Sequence, residues 1–172
     1  METLAFRCES TILCNRVDNS LTIPKALTAL IESGFWPRND AEAMRQNLHC
    51  LVAKATIQLF APEEEKIYFI QPPFCTVKQL AMTSEQRFWS DPRTAIQEIN
   101  PALTLIIGDF GLGSDAPLAL DYSRTPNNPR VIRLRWAQEG NHWVEVAATF
   151  DQFAAMLKGQ KNTCADQENR HE

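Results

Sequence analysis

The hydrophobic pattern changes period near Leu103, and that change limits the fold more than any other feature of the chain. Before it, apolar residues recur at helical spacing. Ile23, Leu27, Leu30 and Ile31 fall on one face of a helix predicted over 23–33, with Thr22 as its cap, Pro24 in the first turn and Gly34 at its end. Asp40 opens a second helix, in which Met44, Leu48, Leu51 and Val52 form a buried stripe. After Leu103, short apolar runs at 103–107, 118–122, 131–136 and 142–148 suit strands, joined by the earlier β-branched and aromatic run 67–70. A Thr149 to Gln152 capping box then opens a helix whose Phe150, Phe153 and Leu157 face the core. Helices first, strands second and one helix last predict an α+β fold. N-terminal helices pack on a mostly antiparallel sheet, and a C-terminal helix closes it.

Punctuation between these elements is clear. Two capping boxes, Thr76 to Gln79 and Thr83 to Gln86, predict short helical turns, Asp91-Pro92 reads as a cap followed by a first helical residue, and Asn100-Pro101 is a stop. With 172 residues, no internal repeat and no linker, the chain makes one domain over 1–158. Residues 1–21 read as a weakly ordered lead-in and 159–172 as a disordered polar tail.

Charge narrows the partners. A formal net charge of −4 works against gripping a phosphate backbone or an anionic membrane, and no apolar run reaches the ~20 residues that cross a bilayer. Five cysteines without CxxC spacing, and no apolar stretch after Met1-Glu2-Thr3, read as ordinary thiols of a cytoplasmic protein.

The motifs carry little catalytic chemistry. Asp109-Phe110-Gly111 matches the magnesium-binding triplet of kinases, but the strand lysine, the Gly-rich loop over the phosphates and the catalytic loop are missing. Gly108, Gly111 and Gly113 could cradle a phosphate, yet Asp109 and Asp115 would repel it and no Lys-Ser/Thr pair follows, so a tight turn between strands is the better reading. Asp109, Asp115 and Asp121 would bind a cation or share a proton only if they met, and turn capping is their alternative role. His49 lies beside a helical stripe without a second ligand at metal spacing. No metal, cofactor or nucleophile-base arrangement is assigned.

The run from Ile106-Ile107-Gly108-Asp109-Phe110-Gly111 through Leu118-Ala119-Leu120-Asp121-Tyr122, the later Asn128-Pro129-Arg130-Val131-Ile132, Trp143, and the closing Phe150-Asp151-Gln152-Phe153 resemble the SUKH superfamily. That α+β superfamily is typified by bacterial immunity proteins and a fungal cell-wall regulator. The resemblance covers about 50 residues of the C-terminal half, where its turn, strand, hairpin and helix come in the expected order. It implies a non-enzymatic protein that binds and neutralises a toxin domain, and the acidic balance suits a basic nuclease as that toxin. A regulatory interaction module without a toxin partner is the alternative.

The hairpin over Val131–Ala148 supplies a candidate contact face. With 137–141 as its loop, Leu134 meets Val144 and Ile132 meets Val146 on the core side, while Arg133 opposes Glu145 and Arg135 opposes Trp143 on the other. Arg133, Arg135, Trp143 and Glu145, with Asp109 and Asp115 at the turn, are therefore the candidate partner-binding residues.

Overall fold

A computed structural model describes residues 21–83, 86–111 and 116–159. Within them, helices α1 (Lys25–Glu32), α2 (Asp40–Arg45) and α3 (Lys54–Ile57) lead into β1 (Tyr68–Phe69). Two more short helices follow, α4 (Val77–Leu80) and α5 (Gln86–Trp89), then 3-10 turns at Pro92–Thr94 and Ile96–Glu98. The strands β2 (Thr104–Asp109), β3 (Pro117–Asp121), β4 (Arg130–Arg135) and β5 (His142–Ala147) run into α6 (Phe150–Lys158). All five strands form one sheet in sequence order, and every neighbouring pair is antiparallel. The fold is α+β, with a helix closing it after the sheet.

Local signals explain most boundaries. The Thr76 box forms in full, the Thr76 hydroxyl accepting from Gln79 N–H while the Gln79 side chain accepts from Thr76 N–H. The second box includes residues 84–85, which lie outside the described residues, and the Thr83 hydroxyl donates back to the Leu80 carbonyl. Asp91 caps its 3-10 turn by accepting from Arg93 N–H, and Thr149 caps α6 by accepting from Gln152 N–H. Helix α1 starts later than expected, with Pro24 rather than Thr22 at its cap position. The lead-in 1–20 and the tail from 160 lie outside the described residues.

The stripe expected along the second helix does not form. Asn39 caps α2 through Glu42 N–H, but the helix ends after Arg45, leaving Met44 64% and Leu48 80% exposed. Its buried contribution is polar. The Gln46 side-chain amide donates to Phe69 O and accepts from Phe69 N–H, both at 2.8 Å, so it pairs with the outer edge of β1 as a neighbouring strand would.

Both faces of the sheet are covered. On one, Leu105, Ile107, Leu118, Leu120 and Val131 meet Leu27 and Leu30 of α1 and Phe150, Phe153 and Leu157 of α6. Trp36 stacks on Phe69 there, with centroids 3.9 Å apart, and its indole N–H donates to Ile70 O. On the other face, Ile106, Ala119 and Ile132 meet Val77 of α4 and Trp89 of α5. Alternation along the strands therefore sends apolar side chains into two cores, and β2 and β3 are buried throughout.

Cys75 is disulfide-bonded rather than the ordinary thiol expected of it, while Cys50 is free and exposed. Among the described residues, no helix is long and apolar enough to cross a membrane.

Candidate functional site

The β4–β5 hairpin closes one residue differently from the expected register. Its loop spans 136–141, because Arg135 pairs with His142. Asn141 Oδ1 accepts from Ala137 N–H at 3.3 Å, and Gly140 N–H donates to Ala137 O with Gly140 at a φ of 132° that favours glycine. Arg133 then faces Val144, Leu134 faces Trp143 and Ile132 faces Glu145. A bulge at Val146 restores the pairing of Val131 with Ala147.

That slip moves Trp143 to the opposite face. Instead of standing beside Arg135, it packs with Ile132 on the second core, and its indole N–H donates to Thr94 O at 2.9 Å. The expected Arg133–Glu145 and Arg135–Trp143 pairs are absent for the same reason. Glu145 accepts from Arg124 and Arg130, whereas Arg133 and Arg135 both reach Glu63, at 2.6 and 3.3 Å.

Arg133 is only 3% exposed, and its guanidinium lies 5.5 Å from the Phe110 ring centroid. Its Nη2 donates to Glu63, while Nε and Nη1 are buried without a partner. Burial works to raise the Glu63 carboxyl, but the Arg133 hydrogen bond, a backbone hydrogen bond and the Arg133 and Arg135 charges together hold that carboxyl below its ordinary range. At neighbouring Glu64, burial wins over the Arg133 charge and the carboxyl is pushed up.

Asp109 and Asp121 stand apart. Asp109 pairs with Pro117 and Asp121 with Thr104, at opposite ends of the β2–β3 ladder, about 16 Å apart at ~3.3 Å per residue. Each accepts from a backbone N–H two residues on, Asp109 from Gly111 and Asp121 from Ser123, as a turn-capping side chain does. Asp121 also takes the Arg130 guanidinium at 2.7 Å. Burial raises its carboxyl, but Ser123 and Arg130 together hold it below its ordinary range. Asp115 lies outside the described residues. Among the described residues, no three His, Cys, Asp or Glu gather as a metal site would need.

What the hairpin presents outward is a different set of groups. Trp136 is 41% exposed with the Arg93 guanidinium 5.9 Å from its ring centroid, and Pro92, Arg93, Trp136, Ala137, Gly140 and Asn141 line an open cleft of about 480 Å³. Asn141 donates to Arg93 O, which joins the two walls. Next to it, Glu98 takes His142 Nδ1 at 2.7 Å on one oxygen and Trp143 N–H at 2.9 Å on the other. Glu98, Arg93 and Asn141 had no signal in the sequence as a group, since they meet only when the 3-10 turns dock on the hairpin.

Comparison with family models, with curated proteins and with solved structures finds no match to this chain.

Proposed function

We propose that this chain is a non-catalytic binding protein of the SUKH type, which neutralises a protein toxin domain by occluding it. The observation that carries the reading is the element order across the stretch that resembles the superfamily. A strand, a second strand antiparallel to it, a hairpin and a closing Phe-bearing helix follow one another from Thr104 to Lys158. The carboxylates fit it as well, because Asp109 and Asp121 hold their own turns and stand too far apart to share a metal or a proton. The reading assigns the chain to the cytoplasm, where the Cys75 disulfide would be reduced. A basic nuclease suits the net charge of −4, and association with such a toxin slows as ionic strength rises.

Co-expression with candidate toxin domains tests the proposal. Restored growth together with co-purification of toxin and chain supports it. A chain that co-purifies instead with a host protein and never protects cells supports a regulatory interaction module.

A further inference from the structure

Residues 38–50 run as a strap between two anchors. At one end Trp36 is fully buried, stacked on Phe69 with its indole N–H on Ile70 O, and at the other Val52 lies in the same core. Between them, α2 and the turns after it contribute one buried residue, and that residue is polar: Gln46 is 3% exposed. Met44 and Leu48, the apolar groups that would dock such a helix, are exposed.

What ties the strap to the sheet is correspondingly small. The Gln46 amide spans Phe69, donating to its carbonyl and accepting from its N–H, and the Asp40 carboxylate accepts from the Gln71 side chain. Among the described residues, the strap's other hydrogen bonds are internal. Arg38 binds Glu42, Asn39 takes Glu42 N–H, and the backbone turns end with Leu48 N–H and His49 N–H on Arg45 O. A segment with so little buried apolar surface and with exposed backbone bonds lies at the low end of local stability. The sheet beneath it is different, since Leu120 in the central strand β3 is fully buried and pairs with Leu105 on one side and Val131 on the other.

We propose that residues 38–50 form a strap that opens as one unit while the sheet stays folded, with Gln46 as its latch, and that the closed strap shuts the Phe69 edge of β1 against strand pairing. β1 is the outer strand on that side, and the Gln46 amide carries the same donor and acceptor as a peptide unit, so it occupies both Phe69 groups as a further strand would. Two neutral hydrogen bonds contribute little net stability, because the groups of Gln46 and Phe69 meet water when the strap lifts. Trp36 and Val52 stay in the core as its two ends, so opening empties no apolar site.

The test is amide hydrogen exchange on the full chain. In the wild type, sub-denaturing urea should speed exchange at Leu120 far more than at Ala43, His49 and Phe69, because lifting the strap exposes little apolar surface. Gln46→Met, which keeps the length of the side chain and removes both bonds, should speed Ala43 and His49 at least about tenfold and leave Leu120 unchanged. Ala43 and His49 donate to Asn39 O and Arg45 O, so they report the strap itself and not the acceptor lost at Phe69. Wild-type Ala43 and His49 exchanging as fast as a free peptide would show no closed strap, and unaltered rates there in Gln46→Met would show that Gln46 is not its latch. Leu120 speeding along with them, or equal urea sensitivity at all four amides, would show that the strap opens only with the whole domain. Each of these results overturns the proposal, and none of them bears on toxin neutralisation.

Discussion

The indole N–H of Trp143 donates to the carbonyl oxygen of Thr94, 49 residues earlier in the chain. That bond fixes the 3-10 turn at Pro92–Thr94 against β5 and carries the second core to the sheet edge. Trp143→Ala should cost about 2–3 kcal/mol in urea unfolding, since it removes a half-buried aromatic ring and strands a carbonyl. Trp143→Phe keeps the ring contact and should lose only about 1 kcal/mol. An unchanged stability in Trp143→Ala would return this residue to the exposed contact face.

Arg133 should prove more tolerant of replacement than its ion pair suggests. Its Nε and Nη1 are buried without partners, so the desolvation cost of the guanidinium is only partly recovered through Glu63. Arg133→Met, of similar length and without a charge, should leave stability within about 1 kcal/mol of wild type or raise it. Glu63→Ala should cost about 1–2 kcal/mol, because it takes the hydrogen-bonded counter-charge from a buried cation, the loss being tempered by the solvent that reaches Glu63. Chemical denaturation of the two variants decides the order, and a larger loss in Arg133→Met would contradict this account.

Which of these features the sequence discloses depends on how local their cause is. The caps at Thr76, Asp91 and Thr149 involve groups two or three residues apart, and all three form, although at Thr149 the reciprocal half of the box is absent, the Gln152 side chain accepting from Ala148 N–H instead of Thr149 N–H. Strand positions are legible within a residue or two, because short apolar runs bounded by Gly and Pro leave few alternatives. The α2 stripe was misread because helical spacing at Met44 and Leu48 says nothing of where the helix stops. The hairpin register failed on one side chain, Asn141, whose bond to Ala137 lengthens the loop by a residue and carries Trp143 to the other face. Glu63 lies 70 residues from Arg133, and the role of Gln46 at Phe69 depends on a fold already formed, so neither could be read from spacing.

Gly108 should not accept a side chain. A Cβ built there would stand 2.8 Å from Tyr68 O, and a backbone oxygen in the adjoining strand cannot move aside cheaply. Gly108→Ala should cost about 2 kcal/mol and speed amide exchange at Ile70, whose N–H donates to Ile107 O across the same strand pair. Wild-type exchange at Ile70 in this variant would contradict the close approach.

Acid should weaken the fold partly through Asp121. Its folded carboxyl is held below the ordinary range, so in the pH window between its folded and unfolded values the unfolded chain binds more protons. Its contribution is complete above the unfolded value near pH ~4 and is lost as pH falls through the folded value. Asp121→Asn should lower stability at neutral pH and flatten its decline on acidification. Unfolding curves collected from pH 7 to pH 2 check both, and an unchanged acid slope would assign the loss to other carboxylates such as Glu63.

The central claim is that this chain stops a toxin by binding it rather than by chemistry. It is tested most directly by titrating the pure chain into a purified toxin domain that co-purifies with it, with the toxin's own activity as the readout. The account predicts that activity falls in proportion to added chain, reaches zero at a fixed stoichiometry, and returns when the complex is dissociated and the toxin recovered. Undiminished activity in saturating excess of the chain would contradict occlusion. Loss of activity that persists in recovered toxin, with the toxin covalently altered, would show that the chain acts as an enzyme.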